Sequence, residues 1–464
     1  MRIDGPKPLS QSVLWRWQRD FYDAQGPAAF TTGVVPWRIT SCLLLASAYA
    51  DVAAAYQRDV PGKLHVVELG GGVGRLAFHL MRALAERGVD FHYRFTDASQ
   101  ANVDGAAKHP QLKAWQELGR LSLQRVDAMS PGDLALPPGP VVVVANYLFD
   151  TLPHDAWRAE KGRAVGQNVE VEAPHEDAAL TEVAWTFSDS DAVAPAEVAD
   201  YAAQVGEGRF LWPAGAIACM DAVAQTLQRP HLWLAADKGA ANREQISGKD
   251  TAVLARHGCV SASVNFDALR EWAGARPFFA PAEAEVRFGA YALAATQVPE
   301  VAKAWAETGA LNLPLHAEAL LEQLVSDPSV TVPQLLQALA FTHFDPDALL
   351  RVAGSLRERE IPAEQVAGLV AAMNETWRHR FELPEPHDLA FEIATVLHRA
   401  GQLSAAAAYY RHSLELRGPH PTTWFNLALC LLDLGQRSEA RGALEETLRA
   451  DATHTRAAAL LAAT

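Results

Sequence analysis

Hydrophobic residues between positions 64 and 160 form short apolar runs separated by amphipathic stretches. His65–Leu69 is an apolar run that ends in a glycine-rich segment, and Leu76–Arg87 has the apolar spacing of a helix. Val141–Ala145 contains four valines and an alanine, which is typical of a strand buried on both faces. Two more strands are predicted, at Tyr93–Thr96 and Leu121–Val126. Strands that alternate with helices predict a parallel sheet with right-handed crossovers.

Segments on either side extend this α/β pattern. Residues 9–25 and Thr40–Tyr56 read as helices, so we expect residues 1–60 to form a helical cap or lid on a domain that spans residues 61–300. Residues 164–187 read as extra strands or an inserted hairpin. Two further strands of the main sheet are predicted, at His231–Ala235 and Glu285–Ala295.

After about residue 300 the pattern contains helices only, with an internal repeat of 34 residues. Ala394, Leu397, Gly401, Ala406 and Leu414 are matched by Ala428, Leu431, Gly435, Ala440 and Leu448. That period and that order of small and large residues are typical of tetratricopeptide repeats. We therefore predict a helical domain at 312–464, with its clearest repeats at 387–454 and degenerate helical pairs at 312–380.

Composition and net charge limit the kinds of partner and the cellular location that we expect. The chain has 464 residues, 49% of them hydrophobic, and a formal net charge of −15, so we expect a soluble protein of two or three domains and no nucleic-acid partner. The four cysteines are far apart, which predicts neither a disulfide framework nor a metal site and favours the cytoplasm. No apolar run is long enough to predict a membrane span.

The glycine-rich segment is the first candidate site. Val66–Leu69 leads into Gly70, Gly72 and Gly74 and then into a predicted helix. Glycines let a ligand approach the backbone, and a helix N-terminus offers free N–H groups. This pattern alone also fits a dinucleotide.

Three carboxylates accompany the glycines. Glu68 lies directly before the turn, Asp97 follows the second strand, and Asp127 follows the third. Class I methyltransferases place acids there for the methionine end, the ribose hydroxyls and the adenine amino group of S-adenosylmethionine, so the set favours that cofactor. A related nucleotide, a relic that binds nothing, and acids that merely end strands or cap helices remain alternatives.

The segment Asn146–Pro153 follows the four-valine strand. Ligands in open α/β sheets bind at the carboxyl ends of the strands, so the segment is expected beside the transferring methyl group. Asn146 offers a donor and an acceptor there, and it is a candidate for cofactor binding and for catalysis. Phe149 and Pro153 could form an apolar wall. Asp150, Tyr147 and His154 are the candidate catalytic residues for orienting or deprotonating a nucleophile; the alternative is an Asp-capped turn before a helix that starts at Asp155.

At these residues the sequence resembles the MidA-type class I methyltransferases, which include the mitochondrial complex I assembly arginine methyltransferase. The shared motifs are Glu-Leu-Gly-x-Gly-x-Gly at 68–74 and Asn-x-x-x-Asp-x-x-Pro at 146–153. Weaker likenesses lie at 30–41, 236–239, 256–257 and 264–269, and together they cover roughly residues 20–295. Tyr147 replaces the family's Glu and Lys238 replaces its Tyr, which weakens the inference that the substrate is an arginine.

These observations predict an α/β Rossmann-like class I methyltransferase domain followed by an all-α tetratricopeptide-like domain. The predicted function is S-adenosylmethionine-dependent methylation of a protein or peptide that the repeats help to recruit. Asn426 is a candidate peptide contact, whereas Trp424 fits packing. The alternatives are an inactive scaffold that binds partners through the repeats and a small-molecule methyltransferase. The sequence leaves the oligomeric state open and admits a homo-oligomer.

Overall fold

The structure is a computed structural model. It describes residues 1–464 except 33, 34, 36, 133, 135, 176–181, 257, 258, 282–287, 309–312, 385 and 386, and it does not describe the side chains of residues 288 and 313. The chain divides into two compact units, Met1–Leu315 and His316–Thr464. The predicted strand from Glu285 and the likenesses at Gly33 and His257 fall partly or wholly outside the described residues.

The first unit contains every strand that the structure describes. In chain order they are β1 (Arg2–Pro8), β2 (Leu64–Leu69), β3 (Phe91–Asp97), β4 (Leu121–Arg125), β5 (Val141–Asn146), β6 (Asp155–Glu160), β7 (Arg163–Glu172), β8 (Ala184–Ser190), β9 (Gly208–Trp212), β10 (His231–Ala240), β11 (Leu254–Arg256), β12 (Val260–Ala262), β13 (Val264–Asn265), β14 (Phe278–Phe279) and β15 (Phe288–Ala294).

The larger sheet has the order β14-β15-β10-β5-β2-β3-β4, and β13 pairs with β10. The strands from β10 to β4 are parallel, whereas β15 and β14 are antiparallel. The chain runs from β2 outward through β3 to β4 and then returns to β5 on the other side of β2. The strand order therefore reverses between β2 and β5, and ligands of open α/β sheets bind at such a reversal.

The helices, in chain order, are α1 (Val13–Gln25), α2 (Ala28–Thr31), α3 (Leu43–Asp59), α4 (Arg75–Glu86), α5 (Gln100–Lys108), α6 (Pro110–Glu117), α7 (Ala196–Val205), α8 (Ala214–Leu227), α9 (Phe266–Ala273), α10 (Pro299–Thr308), α11 (Leu313–Ser326), α12 (Val332–Phe341), α13 (Pro346–Glu358), α14 (Ala363–Arg378), α15 (Leu389–Arg399), α16 (Leu403–Arg417), α17 (Pro421–Asp433), α18 (Arg437–Ala450) and α19 (Thr455–Ala463).

Helices cover the sheet, and its central strand is buried. Val141–Val144 of β5 are fully buried, as the run of four valines predicts. The crossover helix α4 follows β2, and α3 packs against α4 and α10. The predicted α/β fold, followed along the chain by helical repeats, is confirmed.

A second, antiparallel sheet has the order β1-β7-β6-β9, with β8 paired to β7. The predicted hairpin at 164–187 corresponds to β7 and β8. The N-terminal segment was predicted to be helical, but Arg2–Pro8 is a strand whose Arg2 pairs with Glu172. Its sequence carries one glycine and two prolines and no clear alternation, so only the distant partner strand reveals it. The helix predicted to start at Asp155 is also wrong, since Asp155 begins β6.

The second unit consists of helices. The pairs α15/α16 and α17/α18 contain the two clear repeats, and Gly401 and Gly435 at their turns have φ of +70° and +75°. Ala406 and Ala440 are fully buried where paired helices pack. Among the helices that the structure describes, none combines the length and apolar character that crossing a bilayer requires.

Gly239 tests the packing at the end of β10. It pairs with Val264 of β13, and a Cβ placed on it would lie 1.9 Å from the Val264 carbonyl oxygen. We expect Gly239→Ala to lower the free energy of unfolding by about 2–3 kcal/mol, because backbone must move to admit the methyl group. Calorimetric melting of the full chain measures this loss. Gly132→Ala, with no atom within 4 Å of its added Cβ, is the matched control, and an equal loss in both variants would contradict the argument.

Candidate active site

The glycine turn joins β2 to α4 and is anchored to the end of β3. Gly70, Gly72 and Gly74 have φ of +72°, +57° and +83°, a region that glycine adopts without strain. A Cβ on Gly71 would lie 2.2 Å from the ring of Phe95. The turn therefore needs glycine both for its backbone conformation and for its close approach to β3.

Asp97, the last residue of β3, holds this turn. Its Oδ2 accepts the Gly72 N–H at 2.9 Å, and its Oδ1 accepts the Ser99 N–H at 2.8 Å. Burial raises the pKa of the Asp97 carboxyl, whereas these N–H donors lower it. Each oxygen keeps a second lone pair, so the carboxylate can still accept hydrogen bonds from a ligand.

A cavity opens above the carboxyl ends of β2, β3, β4 and β5. It has about 1260 Å³ of empty space, a figure that includes the solvent at its open mouth. Its lining comes from the glycine turn, the strand ends, the 146–153 segment and helix α1. The predicted residues on its wall are Glu68, Gly70, Gly72, Asp97, Asp127, Asn146 and Tyr147. Gly74 is not on the wall; it begins α4 and lies against Leu112.

Four buried polar atoms on this wall have no hydrogen-bond partner among the described residues. They are Gln18 Nε2, Glu68 Oε2, Ser99 Oγ and Asn102 Oδ1. Burial raises the pKa of the Glu68 carboxyl to about 8. Unpaired buried polar groups are costly, and these four on residues of one cavity wall fit a polar ligand.

Asp127 lies at the rim, with 46% of its side chain exposed. Its Oδ1 accepts the Met129 N–H at 2.9 Å, and its Oδ2 is 3.8 Å from a guanidinium nitrogen of Arg19 on α1. The ion pair links the N-terminal helix to the end of β4 across the cavity edge.

Asn146 holds the surrounding backbone in place. Its Oδ1 accepts from the Tyr49 hydroxyl at 2.8 Å and from the Ala236 N–H at 3.0 Å, and its Nδ2 donates to the Thr40 carbonyl at 2.8 Å. Only one Nδ2 hydrogen is left for a ligand. The donor and acceptor that were predicted to face the methyl group are thus mostly used within the fold.

Tyr147 marks a sharp change of chain direction after β5. Its φ is +45°, which is uncommon for a residue other than glycine and occurs often at functional sites. Its N–H donates to the Ala236 carbonyl at 2.9 Å, and its side chain is half-buried on the cavity wall.

Comparison with known proteins identifies the family. The family model described as "putative S-adenosyl-L-methionine-dependent methyltransferase" matches residues 44–277, which is half of the chain. The chain belongs to this methyltransferase family. A tetratricopeptide-repeat model matches residues 397–464.

Individual relatives are distant. Two proteins of one superfamily from Burkholderia thailandensis, one solved with bound S-adenosyl-homocysteine, are similar over 64% of this chain and over 89% and 97% of theirs. Their identities are 18% and 17%, with TM-scores of 0.43 and 0.40. A non-reducing polyketide synthase from Preussia isomera is 36% identical over 74 residues, 15% of this chain. The chain spans only 3% of the length of that synthase.

The cofactor of this methyltransferase is S-adenosylmethionine, and the cavity residues fit it. A ribose diol needs an acceptor such as the Asp97 carboxylate, and an ammonium group needs one such as the orphan Glu68 oxygen. The positive φ of the glycine turn lets the backbone approach a ligand closely.

Asp150 lies behind the cavity of the methyltransferase. It does not contribute to the described lining, its side chain is 6% exposed, and its Oδ2 is 3.3 Å from Lys238 Nζ. The Asp150 N–H donates to Asp237 Oδ2 at 3.0 Å. Burial raises the pKa of the Asp150 carboxyl, and the Lys238 ammonium lowers it. Asp150 thus pairs with Lys238 inside the fold and is not on the described cavity wall, and its predicted contact with a cationic nucleophile stays a prediction.

His154 and Phe149 also differ from expectation. His154, a predicted catalytic candidate, is fully buried; its Nδ1 lies 2.8 Å from the Leu152 carbonyl oxygen and its ring stacks on Trp15. Burial lowers the pKa of His154 to about 4, and the described cavity lining excludes it. Phe149 packs into the core against Trp233, so only Pro153 of the predicted apolar wall lines the cavity.

Sequence reasoning missed several wall residues. Helix α1 supplies Trp15, Gln18 and Tyr22, and the start of α4 supplies Arg75. Arg75 directly follows the glycine motif, which is a signal that could have been used. No local signal marks Gln18, because its burial depends on where α1 packs.

The Asp150–Lys238 pair predicts a pH-dependent stability. Lys238→Met leaves the buried carboxylate without its cation, and we expect a loss of about 2–4 kcal/mol in the free energy of unfolding at pH 8. The folded-state pKa of Asp150 is already above its unfolded value and rises further in the variant, so the loss relative to the wild type grows as pH rises from the folded-state pKa of the wild type towards the higher one of the variant. Denaturant unfolding at pH 5.5 and pH 8 measures it.

Lys238→Met with Asp150→Asn is the matched control. The amide carries no charge, so the double variant should lose less stability than the single one, and its loss should depend less on pH; Asp237, whose pKa Lys238 also lowers, still titrates in both variants. A single variant that loses the same stability at both pH values would contradict the pairing.

Proposed function

We propose that this methyltransferase transfers a methyl group to a side chain of a protein or peptide, which the helical repeats help to recruit. The observation that carries the proposal is the presence of a repeat module on the same chain as the cofactor cavity. Repeats of this kind form extended concave surfaces that bind protein segments.

The wall residues have proposed roles along the cofactor. Asp97 accepts hydrogen bonds from the ribose hydroxyls, Asp127 from the adenine amino group, and Glu68 from the ammonium of the amino-acid end. The turn with Gly70 and Gly72 lets the backbone approach the cofactor. Bound there, S-adenosylmethionine supplies a methyl group activated by its sulfonium.

The chain's own contribution to methyl transfer is alignment and exclusion of water. Asn146 fixes the backbone of β5, β10 and the segment before α3 around the acceptor end, where Tyr147 lies on the wall. Holding two reacting groups in line supplies much of the rate acceleration in such a transfer. Since Asp150 and His154 lie outside the described lining, Tyr147 and Asn146 are the remaining predicted candidates for contact with the nucleophile.

A small-molecule acceptor is the second candidate. It is favoured by the match with a polyketide synthase over 74 residues. In that case the repeats would serve another purpose, such as holding a partner protein.

Labelling in a cell lysate separates the two candidates. Full-length chain is incubated with methyl-labelled S-adenosylmethionine, and we expect label in macromolecules that proteinase removes. Gly72→Arg is the inactive control, because its φ of +57° and the Phe30 ring 3.0 Å from an added Cβ leave no room for a side chain. Label found only in small solutes would refute the protein substrate.

The role of the repeats is tested by Asn426→Ala in the same lysate. Asn426 is half-buried on α17, and we expect the variant to label protein several-fold less while it binds S-adenosyl-homocysteine as the wild type does. Loss of a single peptide hydrogen bond costs about 1 kcal/mol, or roughly fivefold in affinity. Equal labelling by both proteins would speak against recruitment through this residue.

Glu68 predicts a pH dependence of cofactor binding. With a pKa of about 8, the free carboxyl is mostly protonated at pH 7, and contact with an ammonium group favours its ionised form. Binding must then release a proton, so affinity for S-adenosyl-homocysteine should rise about five- to tenfold per pH unit between pH 6 and 7.5. Calorimetric titrations in two buffers of different ionisation enthalpy measure how many protons are released when the ligand binds. Glu68→Gln should abolish the pH dependence; an unchanged slope would remove Glu68 from this role.

A further inference from the structure

Arg75 is a buried cation on the wall of the cofactor cavity. It is the first residue of α4, directly after the glycine turn, and its side chain is among the buried polar groups at 4% exposure. Its Nε donates to His79 Nε2 at 3.4 Å, and its guanidinium carbon lies 5.6 Å from the ring centroid of Trp37. These contacts fix the orientation of the guanidinium.

Two aromatic residues cover this part of the cavity. The Trp37 indole N–H donates to the Phe30 carbonyl at 2.7 Å, and the two rings meet edge to face with centroids 6.1 Å apart. The Phe30 ring in turn lies against Gly72. Arg75 is therefore enclosed between the glycine turn and an aromatic cover, where low polarity strengthens its attraction to an anion.

The cavity wall has one other cation among the described residues, Arg19. Its side chain is 60% exposed at the rim, where it pairs with Asp127. Arg19 thus belongs to the end of β4, whereas Arg75 belongs to the glycine turn and lies on the same wall as Glu68. A carboxylate and a guanidinium beside the same turn match the ammonium and the carboxylate of a zwitterionic amino acid.

We propose that Arg75 binds the carboxylate of the amino-acid end of S-adenosylmethionine, as a positioning residue opposite to Glu68 in charge. A guanidinium matches a carboxylate with two parallel hydrogen bonds. Held at this end, the cofactor is fixed along the cavity, so that its sulfonium comes to the Asn146–Pro153 side. The inference rests on the cofactor of the family and not on the protein substrate.

The test uses two ligands that differ only in the carboxylate, S-adenosylmethionine and its decarboxylated form. Calorimetry with the full chain should give about 10- to 100-fold tighter binding of S-adenosylmethionine, the value of a charge-assisted hydrogen-bonded pair. Arg75→Met should lose that factor for S-adenosylmethionine and leave the affinity for the decarboxylated ligand unchanged.

Arg38→Met is the matched control. Arg38 lies over the same Trp37 ring, at 5.5 Å, but it is not among the residues that line the cavity, so both affinities should stay at the wild-type values. Equal weakening of both ligands by Arg75→Met, or no weakening of either, would overturn the proposal.

The wild-type protein and Arg75→Lys keep the test decisive if Arg75→Met fails to fold. Lysine keeps the positive charge but lacks the planar guanidinium. The ratio of the affinities for S-adenosylmethionine and its decarboxylated form should therefore be smaller in Arg75→Lys than in the wild type, but still above one. A wild type that binds both ligands equally would refute the role of Arg75. A wild type that binds neither ligand would refute it as well and would also refute use of the cofactor, whereas labelling of small solutes alone affects only the protein-substrate proposal.

Discussion

The cofactor cavity is built around the hydrogen bond from the Gly72 N–H to the Asp97 carboxylate. It ties the turn after β2 to the end of β3, and Gly71 can approach Phe95 only because it has no Cβ. Asp97 thereby fixes the turn and also offers its remaining lone pairs to a ligand. One carboxylate on the cavity wall thus also holds the backbone around it.

The sheet and the cofactor motif could be predicted because their signals are local. A run of valines, a glycine turn and a 34-residue period each lie within one stretch of chain. The position of Asp150 could not, because it depends on the short turn Phe149–Thr151 and on Asp237, 87 residues away. The same is true of β1, whose partner β7 lies far along the chain, and of Gln18, which is buried only because α1 packs across the strand ends.

The buried group of Asp150, Asp237 and Lys238 bears on the chemistry of the acceptor. An acid that faces the cavity would attract a guanidinium or an ammonium group. Here Asp150, the acid within the 146–153 segment, already has a cationic partner, since Lys238 Nζ lies 3.3 Å from its carboxylate. Together with Tyr147, which stands where the resembling family has an acid, this pairing leaves the 146–153 segment without a carboxylate on the described cavity wall.

The unpaired polar atoms of the cavity residues lower the free energy of unfolding of the ligand-free protein. Each buried donor or acceptor without a partner costs about 1–3 kcal/mol, and Gln18, Glu68, Ser99 and Asn102 all belong to the lining of one cavity. A core of this size could satisfy or replace such groups, as it does around Asn146, whose amide binds three neighbours. A ligand that supplies the missing partners recovers this cost, so binding should stabilise the first unit more than contact area alone would. Since Gln18 belongs to α1, the same argument makes the N-terminal helix part of the binding site.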